Sequence, residues 1–344
     1  MSVHVVIAPD SFKGTATAAA VATAIGEGWS SERPTDEVTL VPMADGGEGT
    51  LDAFATAFPD ARRVPVTVTG PAGDPVDAAW LSLPDGRAVV ELAATSGLPL
   101  LTTLQPDTAQ TIGFGQAIAA ALDAGATGLV LGIGGSASTD GGAGLLSALE
   151  LPDGTLRPLP PLGVTVLTDV TSPLLGPDGA VAVFGPQKGI TPDRAAAHEE
   201  RLAAWAARFP SVDPSTPGAG AAGGAGFGLL VWGATLVRGA DGIAEVVGLP
   251  GALADADIII TGEGRFDEQS AAGKVPTVVA GLSEVAGQRR LMLVAGEIDA
   301  PVDAFDVAAS LTVIATQTTG EPDDAVADPL RFARIAGRRL AAQV

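Results

Sequence analysis

The chain has 344 residues, 47% of them hydrophobic and 17% charged, enough to bury the core of two domains or of one elaborate one. Its formal net charge of −21 argues against nucleic acid and anionic membrane surfaces as partners, because both are polyanions. The absence of Cys excludes disulfides, thiolate catalysis and cysteine-ligated metal.

The first element is an apolar run from His4 to Ala8. No basic stretch precedes it, so no signal peptide is read and a cytoplasmic protein is expected. The run ends in the loop APDSFKGT (8–15), and an alanine-rich helical pattern follows to about Trp29. The same order of apolar β-branched run, small or acidic loop and helix returns four times. It appears at VTLVPMADGGEGT (38–50), GLVLGIGGSASTDGGAG (128–144), VTVLTDVTSPLLG (164–176) and DIIITGEGRFDEQSAAGK (257–274), with Pro173 breaking the helix in the third of these. Two further apolar runs, 291–296 and AASLTVIA (308–315), precede a C-terminal helix. Arg334, Arg338 and Arg339 recur on that helix at the spacing of a solvated face.

Strand, loop and helix in alternation predict a parallel α/β sheet, whose ligand crevice lies at the carboxyl ends of the strands. The segment from Val64 to Leu92 instead alternates in short runs punctuated by PAGDP and PDG, which predicts antiparallel hairpins. The expected organisation is therefore discontinuous. Residues 1–66 and 240–344 form a Rossmann- or flavodoxin-like parallel domain, and 67–239 an inserted second α/β domain that begins with hairpins. Pro214–Val237 carries no charge and approaches the length of a bilayer span of roughly 20 residues. Its seven glycines and few large aliphatics predict instead a tightly packed buried helix, with Gly220, Gly224 and Gly228 admitting a neighbouring backbone.

Three lysines stand out against sixteen arginines: Lys13, Lys188 and Lys274 each adjoin a glycine in or beside a polar loop. A compact ammonium beside permissive backbone suits a phosphate or a carboxylate. The loop at 132–144 matches G-x-G-x-x-A but runs on through hydroxyl residues. Cradling of phosphate by Gly134, Gly135, Ser136, Ser138 and Thr139 is therefore expected over a tight dinucleotide turn. A Walker P-loop is absent, since Glu268 and Val275 fail the pattern around Gly273-Lys274. Asp45, Glu48, Asp169, Glu263 and Asp267 each follow an apolar run and supply oxygen ligands suited to Mg²⁺, or a general base. The only histidines, His4 and His198, lie in a strand and in a charged helix, which argues against a Ser-His-Asp hydrolase or a histidine-bound zinc site.

Together and in order, APDSFKGT, PMADGGEGT, GIGGSASTDGGAG, TDVTSPLLGP (168–177), FGPQKG (184–189), GAGAAGGAG (218–226) and TGEGRFDEQSAAGK (261–274) closely resemble the bacterial glycerate kinase family across essentially the whole chain. The resemblance departs at Ser172, where Asn is expected before Pro173. It implies ATP-dependent phosphorylation of D-glycerate, typically at the 2-hydroxyl, with the active site between two α/β lobes unrelated to P-loop or protein kinases. The partners implied are small molecules, ATP with Mg²⁺ and D-glycerate. Combined with the residue chemistry, it assigns Lys13 and Lys188 to the transferring phosphate and the substrate carboxylate, in either order. Arg265 is a second clamp, with Asp10, Ser11 and Asp267 also at the substrate. Lys274 joins the 134–139 loop at the nucleotide phosphates. Asp45 and Glu48 are expected at Mg²⁺ and Asp169 as the general base, with Asp267 and Asp10 as rivals. A dehydrogenase using the GIGGSA loop and a non-catalytic sugar-acid sensor are the readings from other classes.

Overall fold

The structure, a computed structural model, describes residues 2–12, 14–44, 46–47, 49–268, 270, 274–287 and 289–344. Its strands are β1 (His4–Pro9), β2 (Glu37–Leu40), β3 (Arg62–Thr69), β4 (Pro75–Ser82), β5 (Arg87–Glu91), β6 (Gly128–Gly132), β7 (Val164–Leu167), β8 (Thr235–Val237), β9 (Ile258–Phe266), β10 (Arg290–Ile298) and β11 (Val307–Ser310). The chain divides into two compact units. The first comprises Met1–Asp45, Asp52–Pro59 and Ile243–Val344, and the second Gly46–Leu51 and Asp60–Gly242.

In the first unit five strands pair in the order β2-β1-β9-β10-β11, all parallel. Numbered by occurrence within the unit, this is 2-1-3-4-5, the flavodoxin-like winding. Val5, Val6 and Ile7 lie beside Ile258, Ile259 and Ile260, all buried, because a parallel sheet is covered on both faces. The crossovers from β1 to β2 and from β9 to β10 run in opposite directions. Right-handed connection therefore puts their helices, Ala18–Glu32 and Val275–Val285, on opposite faces. Helix Ala18–Glu32 is started by Thr17, whose side chain accepts the Ala20 N–H at 3.2 Å. With helix Pro329–Ala341 it buries Val21, Ile25, Trp29, Phe332 and Leu340 against Val5, Ile7, Ile258 and Ile260. Phe332 is fully buried there, so Phe332→Ala is expected to cost about 3–5 kcal/mol of unfolding free energy, read from urea denaturation. Arg334, Arg338 and Arg339 fall on the exposed face of that last helix, and Arg334 pairs with Glu27 at 2.6 Å.

One expected element changes character. The run 308–315 is strand only to Ser310, whose hydroxyl accepts the Val313 N–H and starts helix Leu311–Thr319. An apolar run of this length does not by itself distinguish strand from buried helix.

The second unit carries a six-stranded sheet in the order β3-β4-β5-β6-β7-β8. β3, β4 and β5 form the antiparallel meander, and β5 to β8 run parallel. A boundary at 66/67 would cut through β3, whose register with β4 is continuous from Arg62↔Ser82 to Thr69↔Pro75, so β3 belongs whole to the second unit. Strand β8 and helix Ile112–Asp123 are elements that the sequence reading did not separate.

The glycine-rich stretch is a helix, Ala221–Trp232, but its first turn is not right-handed: Ala222, Gly223 and Gly224 have φ of 54°, 68° and 89°. The expected close approach is present. A Cβ at Gly220 would lie 2.1 Å from the Pro173 carbonyl, and one at Gly228 2.9 Å from Gly142 Cα. Among the described residues no helix is long and apolar enough to cross a membrane.

Candidate functional site

In the first unit β1 leads outward to β2 on one side and β9 leads to β10 and β11 on the other, so the winding reverses between β1 and β9. In open α/β sheets this switch point opens the ligand crevice beyond the carboxyl ends of the strands. A cavity of about 350 Å³ lies there, lined by Asp10, Ser11, Glu263, Arg265, Asp267 and Lys274 among others. Asp10 follows β1 directly. Its N–H donates to the Gly262 carbonyl at 2.7 Å, and its Oδ1 accepts the Ser11 N–H at 2.6 Å. Glu263 lies within β9 and is 5% exposed. Its Oε2 stands 3.6 Å from Lys274 Nζ, while its buried Oε1 has no hydrogen-bond partner. Burial pushes the Glu263 carboxyl above its ordinary range, partly offset by Ser270 and Lys274.

Asp267 follows β9, accepts from the Ser270 backbone N–H at 3.2 Å and lies 3.8 Å from Lys274 Nζ. Lys274 precedes helix Val275–Val285 and so stands between two carboxylates. Arg265 is exposed, with its guanidinium 2.6 Å from Asp299 and 3.7 Å from Glu297, so clamping a substrate carboxylate would require exchanging those partners. Lys13, Asp45 and Glu48 lie outside the described residues.

The second unit gathers the other candidates in the loops after its parallel strands. After β6, the Gly134 N–H donates to the Gly46 carbonyl at 2.9 Å and the Gly135 carbonyl accepts from Leu98 at 2.9 Å. The Ser136 hydroxyl lies 3.1 Å from that of Ser138 and donates to the Ala222 carbonyl at 3.2 Å. Thr139 is buried, and its hydroxyl oxygen has no partner. Lys188 closes the short 3₁₀ turn Pro186–Lys188 and is 2% exposed. Its Nζ donates to the Ser138 carbonyl at 2.5 Å. Burial drags the ammonium from 10.5 to about 7, although the Asp140 carboxylate opposes the fall. The ammonium of Lys188 thus holds the loop itself. Asp169, after β7, is exposed, and its Oδ1 accepts the Gly239 N–H at 3.0 Å at the start of helix Gly239–Val246.

Two carboxylates acquire roles that the sequence reading did not give them. Asp140 accepts from the Thr111 hydroxyl at 2.7 Å and from the backbone N–H groups of Thr111, Gly142 and Gly144, tying the 132–144 loop to the start of helix Ile112–Asp123. Glu91, buried at the end of β5, accepts the Leu51 N–H at 3.0 Å and the Gly49 N–H at 3.4 Å, and so fixes the end of the PMADGGEGT segment. The signal for Asp140 was its place between the glycines of the loop. For Glu91 it was an acid closing an otherwise apolar strand. Both histidines are occupied structurally. The His4 ring lies 2.8 Å from the Thr39 hydroxyl oxygen, and His198 lies 3.1 Å from Asp107, with burial lowering the His198 pKa.

A doubly wound sheet with acids and a lysine around a small cavity at its switch point defines an α/β protein built to take a small charged ligand. The Glycerate kinase family matches residues 5–161 and 153–344, and the chain belongs to that family. It is 42% identical over 308 residues to a glycerate kinase of Bacillus subtilis, covering 80% of each chain. To a glycerate 2-kinase of Escherichia coli it is 39% identical over 312 residues, covering 81% of this chain and 82% of the relative. A crystal structure from Salmonella typhimurium LT2, assigned as a glycerate kinase 2, superposes with a TM-score of 0.85 at 37% identity, over 100% of this chain and 98% of that one.

Proposed function

We propose that this chain transfers the γ-phosphoryl group of MgATP to the 2-hydroxyl of D-glycerate, giving 2-phosphoglycerate and ADP. The observation that carries the reading is the cavity at the β1/β9 switch point, where Asp10, Glu263, Asp267 and Lys274 stand together in a member of this family. The name of the Escherichia coli relative, a glycerate 2-kinase, supports the choice of hydroxyl.

Phosphoryl transfer asks the protein chiefly for positioning and for charge around the phosphates. In this reading D-glycerate lies in the switch-point cavity. Lys274 meets its carboxylate or the incoming phosphoryl group, and Asp10, Ser11 and Asp267 hold its hydroxyls. The loop carrying Gly134, Gly135, Ser136, Ser138 and Thr139 takes the nucleotide phosphates through backbone N–H groups and hydroxyls, and Lys188 sets its shape through the Ser138 carbonyl. Mg²⁺ enters with the nucleotide. Among the described residues no group of three or more His, Asp or Glu could hold a metal by itself. That is compatible with Mg²⁺ bound by one or two carboxylates and the phosphates of its substrate, the part kept for Asp45 and Glu48.

The test follows ADP formation from MgATP and D-glycerate, with product passed to enolase in the presence and absence of phosphoglycerate mutase. Signal through enolase alone is expected. Signal that needs the mutase moves the phosphate to the 3-hydroxyl, and no ADP at all overturns the reading.

A further inference from the structure

We infer that Glu263 is the catalytic residue that takes the proton from the attacking hydroxyl, a role the sequence had given to Asp169. The inference rests on the reading of this chain as a glycerate kinase and names a residue within its site. In the step, the acceptor oxygen forms a bond to the γ-phosphorus. The bond from that phosphorus to the β–γ bridging oxygen breaks, leaving its electron pair on ADP, and the hydroxyl proton passes to the Glu263 carboxylate.

Four observations single out Glu263. It lines the switch-point cavity from β9, the strand adjoining β1 at the reversal of winding. It is 5% exposed, yet its Oε1 has no hydrogen-bond partner, an arrangement that costs free energy unless a ligand proton is to be met there. The groups that face it are Lys274 and Ser270, and Asp267, whose like charge opposes ionisation. Asp10 and Arg265 line the same cavity. Burial therefore raises its proton affinity, partly offset by Lys274 at 3.6 Å, and a rise is the direction that favours a carboxylate as general base. Each rival carboxylate already accepts a backbone N–H. Asp169 accepts the Gly239 N–H at the head of a helix, Asp10 accepts the Ser11 N–H, and Asp267 is held by Ser270.

The experiment compares wild type with Glu263→Gln and Glu263→Asp under saturating MgATP and varied D-glycerate, with a pH profile for each. Glu263→Gln keeps shape and one acceptor oxygen, and it is expected to lower kcat by about 10²- to 10⁴-fold with the KM for D-glycerate little changed. The acidic limb of the wild-type profile should vanish in Glu263→Gln and persist in Glu263→Asp, whose kcat should fall less. A merely structural partner of Lys274 would not move that limb. A Glu263→Gln enzyme within about 3-fold of wild-type kcat, or a loss confined to KM, overturns the inference while leaving the kinase reading intact. Wild-type protein that forms no ADP from D-glycerate overturns the reading itself. If Glu263→Gln does not fold, an Asp enzyme that lacks the acidic limb overturns the inference equally.

Discussion

Replacing Lys188 by Met is expected to make the protein more stable at neutral pH and nearly inactive. Lys188 is 2% exposed, and burial depresses its ammonium from 10.5 to about 7. The sign follows from linkage. In the unfolded chain the lysine stays protonated up to its ordinary pKa, whereas the folded protein releases that proton from about pH 7 upward. Between these values the unfolded state binds more protons, and stability rises with pH. The destabilisation is fully present below pH 7 and is relieved as the pH climbs toward 10. A full proton gives a slope of about 1.4 kcal/mol per pH unit, so wild type should gain about 2–3 kcal/mol between pH 7.5 and 9.5 in urea unfolding. Lys188→Met should be flat across that window and lie above wild type at pH 7, because an apolar isostere removes the buried charge.

The window is unusually clean. The chain has no Tyr and no Cys that would titrate in it. Activity should move the other way. Without the ammonium the Ser138 carbonyl loses its anchor, and a shift of about 1 Å in the loop can cost on the order of 10²-fold in kcat. A variant that keeps wild-type turnover would show that the loop holds its shape without Lys188.

The same lysine shows how far the sequence could be read. Its place beside Gly189, in or beside a polar loop, marked it as unusual. Its burial could not be read, because the groups that enclose it, Ser138 and Gly223, come from loops far away in the chain and meet it only through the packing of the second unit. Strands β1, β6 and β9 were legible because parallel strands covered on both faces are continuous apolar runs. Strand β8 was not, since its three residues Thr235–Val237 end a stretch whose glycines dominate the pattern. At the switch point the sequence supplied the acids that follow apolar runs, and Glu263 was among them. The pairing of β9 with β1 is what distinguishes it from Asp169. Pairing order comes from the closure of a discontinuous domain across an insertion of more than half the chain, which no local pattern encodes.

The second large effect is expected at Gly223. The residue has φ +68°, a left-handed conformation that a side chain strains. A Cβ there would lie 2.0 Å from the Ser138 carbonyl oxygen, 2.8 Å from Thr139 Cα and 2.8 Å from Lys188 Nζ. The first two are backbone, so no rotamer change relieves the clash. The neighbours do not give way readily either: the Gly141 N–H donates to the Gly223 carbonyl at 3.0 Å, and Ala222 just before it already holds φ 54°. Gly223→Ala must therefore push the 132–144 loop away from the start of helix Ala221–Trp232, separating Lys188 from Ser138. Overpacking of about 1–3 kcal/mol adds to backbone strain of similar size, so a loss of roughly 3–5 kcal/mol in urea unfolding is expected. Gly251→Ala is the matched control, since a Cβ there meets nothing within 4 Å, and it should stay within about 0.5 kcal/mol of wild type. Combining Gly223→Ala with Lys188→Met separates the two sources. If the contact with the ammonium contributes, the double variant recovers part of the loss. If the backbone clash with Ser138 dominates, as the 2.0 Å approach argues, the loss persists with the lysine gone.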